Sequence, residues 1–140
     1  MYKFCYWFRS AITTSNIIDI LTPYRDYSIR VCGLDGIAFS FDNNELDIEA
    51  YSFNDGYGFE KIYDYYKFLA NAYVYHDIKV GDFIDIIKRH GNLVTSVLGM
   101  YSCNIFIGNG IVSFDYPDSE TSLSAIDLMA QNNNSYLLEV

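Results

Sequence analysis

The sequence predicts an α+β fold, an antiparallel sheet with helices packed on one face. Three observations carry this. Short segments of strict apolar/polar alternation, such as ELDIEAYSF over residues 45–53, are bounded by Asn, Asp and Gly. Two stretches, around residues 59–73 and 80–90, repeat apolar residues at helical spacing instead. With 140 residues, 51% of them apolar, the chain can bury one sizeable core, and residues 1–140 read as a single domain.

Taken in order, residues 2–9 (YKFCYWFR) read as an aromatic strand. Thr13, Thr14 and Ser15 are candidate caps for a short helix over Ile17, Ile18, Ile20 and Leu21, closed by Pro23. YSIRVCGLDGIAFSF reads as two strands about an Asp35-Gly36 turn. Asp42-Asn43-Asn44 then turns the chain into the strand 45–53, completing a three-strand meander. After the loop 54–58, Phe59, Ile62, Tyr63, Tyr66, Leu69, Ala70 and Tyr73 mark a helix. A second helix carries Val80, Phe83, Ile84 and Ile87, with Asp82 near its start and Lys88, Arg89, His90 and Gly91 at its end. A hairpin over 101–115 turns at Gly108-Asn109-Gly110. A helix follows over Leu123, Ile126, Leu128 and Met129, capped by Ser119 or Thr121, and SYLLEV forms the last strand.

Two blocks echo one another. IIDIL (17–21) matches FIDII (83–87), and YSIRVCGLDGIAFSFD (27–42) matches YSCNIFIGNGIVSFD (101–115) with one gap. The echo divides the chain into two α-β-β units, about 13–53 and 79–116. Turn chemistry alone also makes such segments alike. Side by side, two units would give a continuous antiparallel sheet with one face open to a partner. In outline this resembles the β-lactamase inhibitory proteins, whose tandem helix-plus-sheet units present a concave binding face.

Motifs for chemistry are sparse. Gly108-Asn109-Gly110 continues as Ile-Val-Ser, so the third glycine of a dinucleotide loop is missing and no phosphate-loop lysine follows. His76 and His90 lack metal-ligand spacing, and Asp42-Asn43-Asn44 lacks the glycine and glutamate of a calcium loop. Cys5, Cys32 and Cys103 are an odd set without C-x-x-C spacing, which suits a reducing cytoplasm and buried, inert thiols. No catalytic, metal or cofactor site is therefore expected.

Charge is the informative feature. The net charge is −9, which argues against unaided binding to nucleic-acid phosphates or anionic lipid. Residues 31–60 contain seven acids and no Lys or Arg, and residues 90–140 contain five acids and no Lys or Arg. In the strand from Glu45, alternation turns Leu46, Ile48 and Ala50 inward. Glu45, Asp47, Glu49 and Tyr51 then share the opposite face at intervals of about 6.6–6.8 Å. Such a row keeps a face soluble and safe from edge pairing, or meets Lys and Arg on a partner. Seven of the 14 tyrosines fall within residues 51–75, and tyrosines beside carboxylates make good hot spots.

A small, acidic domain without catalytic motifs resembles the bacterial immunity proteins of contact-dependent inhibition systems, in size, charge and folding style. The resemblance implies a cytoplasmic, non-enzymatic inhibitor whose partner is a basic protein, a cognate nuclease toxin. It implies no cofactor, no direct contact with nucleic acid or membrane, and no small-molecule ligand. The residues expected to cover the toxin are Asp42, Glu45, Asp47, Glu49, Tyr51, Asp55 and Tyr57. Two alternatives stay open: a phage-encoded nucleic-acid mimic that blocks a host defence complex, and a small enzyme or ligand-binding domain with an aromatic pocket.

Overall fold

The computed structural model describes residues 2–8, 10–51, 72–131 and 136–139. In the first half of the chain run β1 (Phe4–Phe8), β2 (Ile12–Thr13), α1 (Thr14–Leu21), β3 (Ser28–Val31), β4 (Gly36–Asp42) and β5 (Glu45–Tyr51). The second half contributes β6 (Tyr73–His76), α2 (Val80–Ile87), β7 (Val94–Val97), β8 (Cys103–Gly108), β9 (Ile111–Asp115), α3 (Glu120–Ala130) and β10 (Tyr136–Glu139). Local signals set the helix starts. The Thr13 side chain caps α1 while the Asn16 side chain returns a bond to the Thr13 backbone, a reciprocal box. Ser119 caps α3 by accepting from the Ser122 amide at 2.9 Å.

The α+β class is as expected, but the strands form two mixed five-stranded sheets in place of one antiparallel sheet. Their orders are β10-β1-β8-β9-β3 and β2-β7-β5-β4-β6. Position n in the first half corresponds to position n + 66 in the second. Thr14 and Val80 begin α1 and α2, Val31 and Val97 end β3 and β7, and Asn43 and Asn109 open the hairpin turns. Each hairpin is flanked by strands from the other half. β4–β5 lies between β6, antiparallel, and β7, parallel; β8–β9 lies between β1, antiparallel, and β3, parallel.

Two tight turns produce this crossing. Cys32 and Gly33 both have positive φ, as do Leu98 and Gly99, and each pair is closed by two backbone hydrogen bonds, Val31 with Leu34 and Val97 with Met100. These turns reverse the chain, so β3 and β4 join different sheets and the meander expected about Asp35-Gly36 does not form. The register of the second echo changes accordingly. Gly33 answers to Gly99 and Asn43-Asn44 to Asn109-Gly110, whereas 17–21 and 83–87 match as aligned. Residues 59–71 of the expected helix lie outside the described residues, and Tyr73, expected at its end, lies with Tyr75 in β6, where both rings stack on Phe39 across the β4–β6 ladder.

The main core draws on both sheets and on α1 and α2. Ile29, Val31, Ile105 and Phe114 meet Ile37, Phe39, Leu46 and Ile48 there, with Ile17, Leu21 and Phe83 from the helices. Phe39 and Phe83 pack edge to face at 5.1 Å. On the other face of the first sheet a smaller cluster, Cys5 and Phe106 with Ala125 and Met129, seats α3. Thr14 ties the halves together: its backbone amide donates to the Leu93 carbonyl at 2.8 Å, and its hydroxyl accepts from the Leu93 amide at 2.9 Å and donates to the Gly91 carbonyl at 3.0 Å.

Candidate functional site

The alternation of β5 resolves as the sequence implies. Leu46 and Ile48 are fully buried in the core, and Glu45, Asp47, Glu49 and Tyr51 stand half-buried on the other face. The register with β4 places Asp42 opposite Glu45, Ser40 opposite Asp47, Ala38 opposite Glu49 and Gly36 opposite Tyr51. Small neighbours therefore flank the carboxylate row on one side, and Asp42 extends the negative charge at the turn. Asp55 and Tyr57 lie outside the described residues.

On the other side of β5 runs β7, with Ser96 opposite Asp47 and Val94 opposite Glu45. The Ser96 hydroxyl donates to Asp47 Oδ1 at 2.7 Å, and the exposed Tyr101 hydroxyl donates to Glu45 Oε1 at 2.8 Å. Both donors are neutral, so they orient the carboxylates without cancelling their charge. Accepting Tyr101's proton-bearing hydroxyl gives Glu45 a hold on it, and the nearby negative charge raises the Tyr101 pKa. Neither Ser96 nor Tyr101 was among the residues singled out from the sequence.

Arg25, Arg30 and Lys88 are engaged away from this row. Arg30 pairs with Asp77 at 2.8 Å, and Arg25 and Lys88 both pair with Asp85 at 3.2 Å. The Arg30 guanidinium holds the Asp77 carboxyl below the usual carboxylate range. His76 Nε2 lies 2.8 Å from Asp35, and the His90 ring stacks on Phe41 at 3.5 Å between centroids. β4, β5 and β7 contain no Lys or Arg.

Burial pushes the thiols of Cys5 and Cys103 up to about 12 and that of Cys32 up to about 11, the Asp115 charge adding to each. Among the described residues no group of three or more His, Cys, Asp or Glu is placed to hold a metal ion. Nor is any helix there long and apolar enough to cross a membrane. An aromatic cleft of about 160 Å³ is lined by Lys3, Phe4, Tyr24, Tyr27 and Ile107, smaller than the roughly 300–1,000 Å³ of ordinary ligand sites. A second depression, about 470 Å³ and open to solvent, mixes Arg25 and Lys79 with Asp26 and Asp82.

The chain matches no family model, and no curated protein or solved structure matches it either.

Proposed function

We propose that this protein is an inhibitor of the immunity type, acting in the cytoplasm by covering the active site of a basic nuclease toxin. The observation that carries the reading is the oriented carboxylate row: Glu45 and Asp47 sit on one sheet face, each held by a neutral hydroxyl, with Glu49 and Tyr51 continuing the row and Asp42 beside it. A nuclease cleft is lined with Lys and Arg that bind phosphates. A row of fixed carboxylates would engage those cations, speed encounter and exclude the substrate. Half-burial favours this use, because partly desolvated charges interact more strongly than fully hydrated ones. The aromatic edges of Tyr51 and Tyr101 would supply apolar contact area beside the charge.

The test is capture from the source organism's lysate on immobilised protein. The wild type should retain one basic protein at low salt and release it at high salt. The variant carrying Glu45→Lys, Asp47→Lys and Glu49→Lys, with an unchanged unfolding temperature, should retain none of it. Equal retention by the two would overturn the assignment of this surface. A target that proves to be a host defence complex, with phage genes beside this one, would move the same surface to the nucleic-acid-mimic reading.

A further inference from the structure

The face of the first sheet beneath α3 holds a polar arrangement that no binding role explains. Asn104 on β8 and Asp115 on β9 are direct partners across the antiparallel ladder, and both are 1% exposed. Each side chain is half satisfied. Asp115 Oδ1 accepts from the Cys32 amide at 3.0 Å and from the Ser113 hydroxyl at 2.9 Å. Asn104 Nδ2 donates to Ser122 Oγ of α3 at 2.6 Å. The remaining oxygens, Asp115 Oδ2 and Asn104 Oδ1, have no hydrogen-bond partner among the described residues.

Two unpaired acceptors on facing, buried residues are costly, and an ionised carboxylate there is costlier still. Facing residues of a ladder stand about 4.5–5.5 Å apart at Cβ, within reach of a side-chain hydrogen bond. One proton on Asp115 Oδ2 turns that atom into a donor and satisfies both deficits. We propose that a protonated Asp115 donates to Asn104 Oδ1, so that the chain Asp115–Asn104–Ser122 latches α3 onto the sheet and loosens once the proton is lost.

The surroundings agree with a neutral group. Tyr2 and Cys5 face Asp115 from the β1 side, Arg30 and Cys32 from β3 and its turn, and Cys103 from β8. From α3 the buried residues are Ser122, Ala125 and Met129, none of them charged. Arg30, the one cation in this group, is committed to Asp77 at 2.8 Å. Burial raises the Asp115 pKa, and the bonds from Ser113 and Cys32 only partly oppose it. The sign follows. The unfolded chain gives up this proton in the ordinary carboxylate range, while the folded chain keeps it to higher pH. The contribution to stability is therefore whole below that range, declines as pH rises through the raised value, and is then lost.

The decisive experiment follows the carboxyl carbon of Asp115 by NMR in the full chain from about pH 3 to pH 10, beside hydrogen exchange of the α3 amides. The carbon should hold its protonated position through the ordinary carboxylate range and move only at higher pH. Relative to Asp115→Asn, in which an amide permanently replaces the acid proton, opening of α3 in the wild type should grow by up to about tenfold per pH unit between the ordinary carboxylate range and that step, and level off above it. An Asp115 that ionises within the ordinary carboxylate range, accepting from a flipped Asn104 amide, would overturn the latch. So would α3 exchange with the same pH profile in both proteins.

Discussion

Replacing Asp47 by Asn separates the two roles the carboxylate row can have. Its neighbours Glu45 and Glu49 lie two residues away on the same face, about 6.6–6.8 Å by strand geometry. At that separation the repulsion is about 0.6 kcal/mol per pair in water, and physiological salt roughly halves it. Removing the central charge thus relieves about 0.5 kcal/mol. Against this, the 2.7 Å bond from Ser96 loses its charge-assisted character, a cost of about 1 kcal/mol. The net change in folding stability should be a loss of about 0.5 kcal/mol, a shift of about 1–2 °C in Tm. Binding should suffer more. A partner cation left facing a neutral amide costs about 2 kcal/mol, roughly 30-fold in affinity. Thermal unfolding and titration calorimetry against the captured partner read the two numbers. A stability loss above about 3 kcal/mol would make Asp47 a structural anchor, and unchanged affinity would remove it from the interface; either result refutes the reasoning.

Other expectations test the fold and its thiols. Thr14→Val strands the Leu93 amide and the Gly91 carbonyl where the two halves join. It should cost about 2–3 kcal/mol in denaturant unfolding, whereas a change within experimental error would deny this junction its role. With pKa values near 12, Cys5 and Cys103 should be alkylated at pH 8 about a thousandfold more slowly than a free thiol of ordinary pKa 9, and normally once the chain is unfolded. Mass spectrometry after timed iodoacetamide treatment reads the rates. Because Arg30 lowers the Asp77 pKa, that pair stabilises the fold above the ordinary carboxylate range and ceases to do so as pH falls through the lowered value. Asp77→Asn should accordingly flatten the acid limb of a stability–pH curve, and a superimposable limb would contradict the pairing.

What the sequence revealed and what it concealed divide along the range of the interactions. The cap at Thr13, the cap at Ser119 and the alternation of β5 are written in neighbouring residues, and all three are legible. The strand β7, Val-Thr-Ser-Val, is four residues long with polar Thr95 turned to the buried core side. Its pattern therefore carries no period, and it passes unnoticed. The turn at Cys32-Gly33 hides because Cys32, a residue without special turn preference, has φ 49°, while Asp35-Gly36 nearby has the more familiar turn composition. Tyr73 continues a helical spacing by coincidence, and only the stacking of Tyr73 and Tyr75 on Phe39 shows the strand. In the candidate site, the row Glu45, Asp47 and Glu49 follows from local alternation alone. Ser96 and Tyr101 join it only through the parallel pairing of β7 with β5, some fifty residues away in the chain, and no local pattern announces a parallel neighbour.

The most direct test of the central claim is a nuclease assay on the captured basic partner, titrated with this protein at low and at high salt. The account predicts that activity falls to background at one equivalent of wild-type protein, returns as salt is raised, and is untouched by the variant with Lys at positions 45, 47 and 49. Undiminished nuclease activity with the protein fully bound, or equal inhibition by the Lys variant, would contradict it.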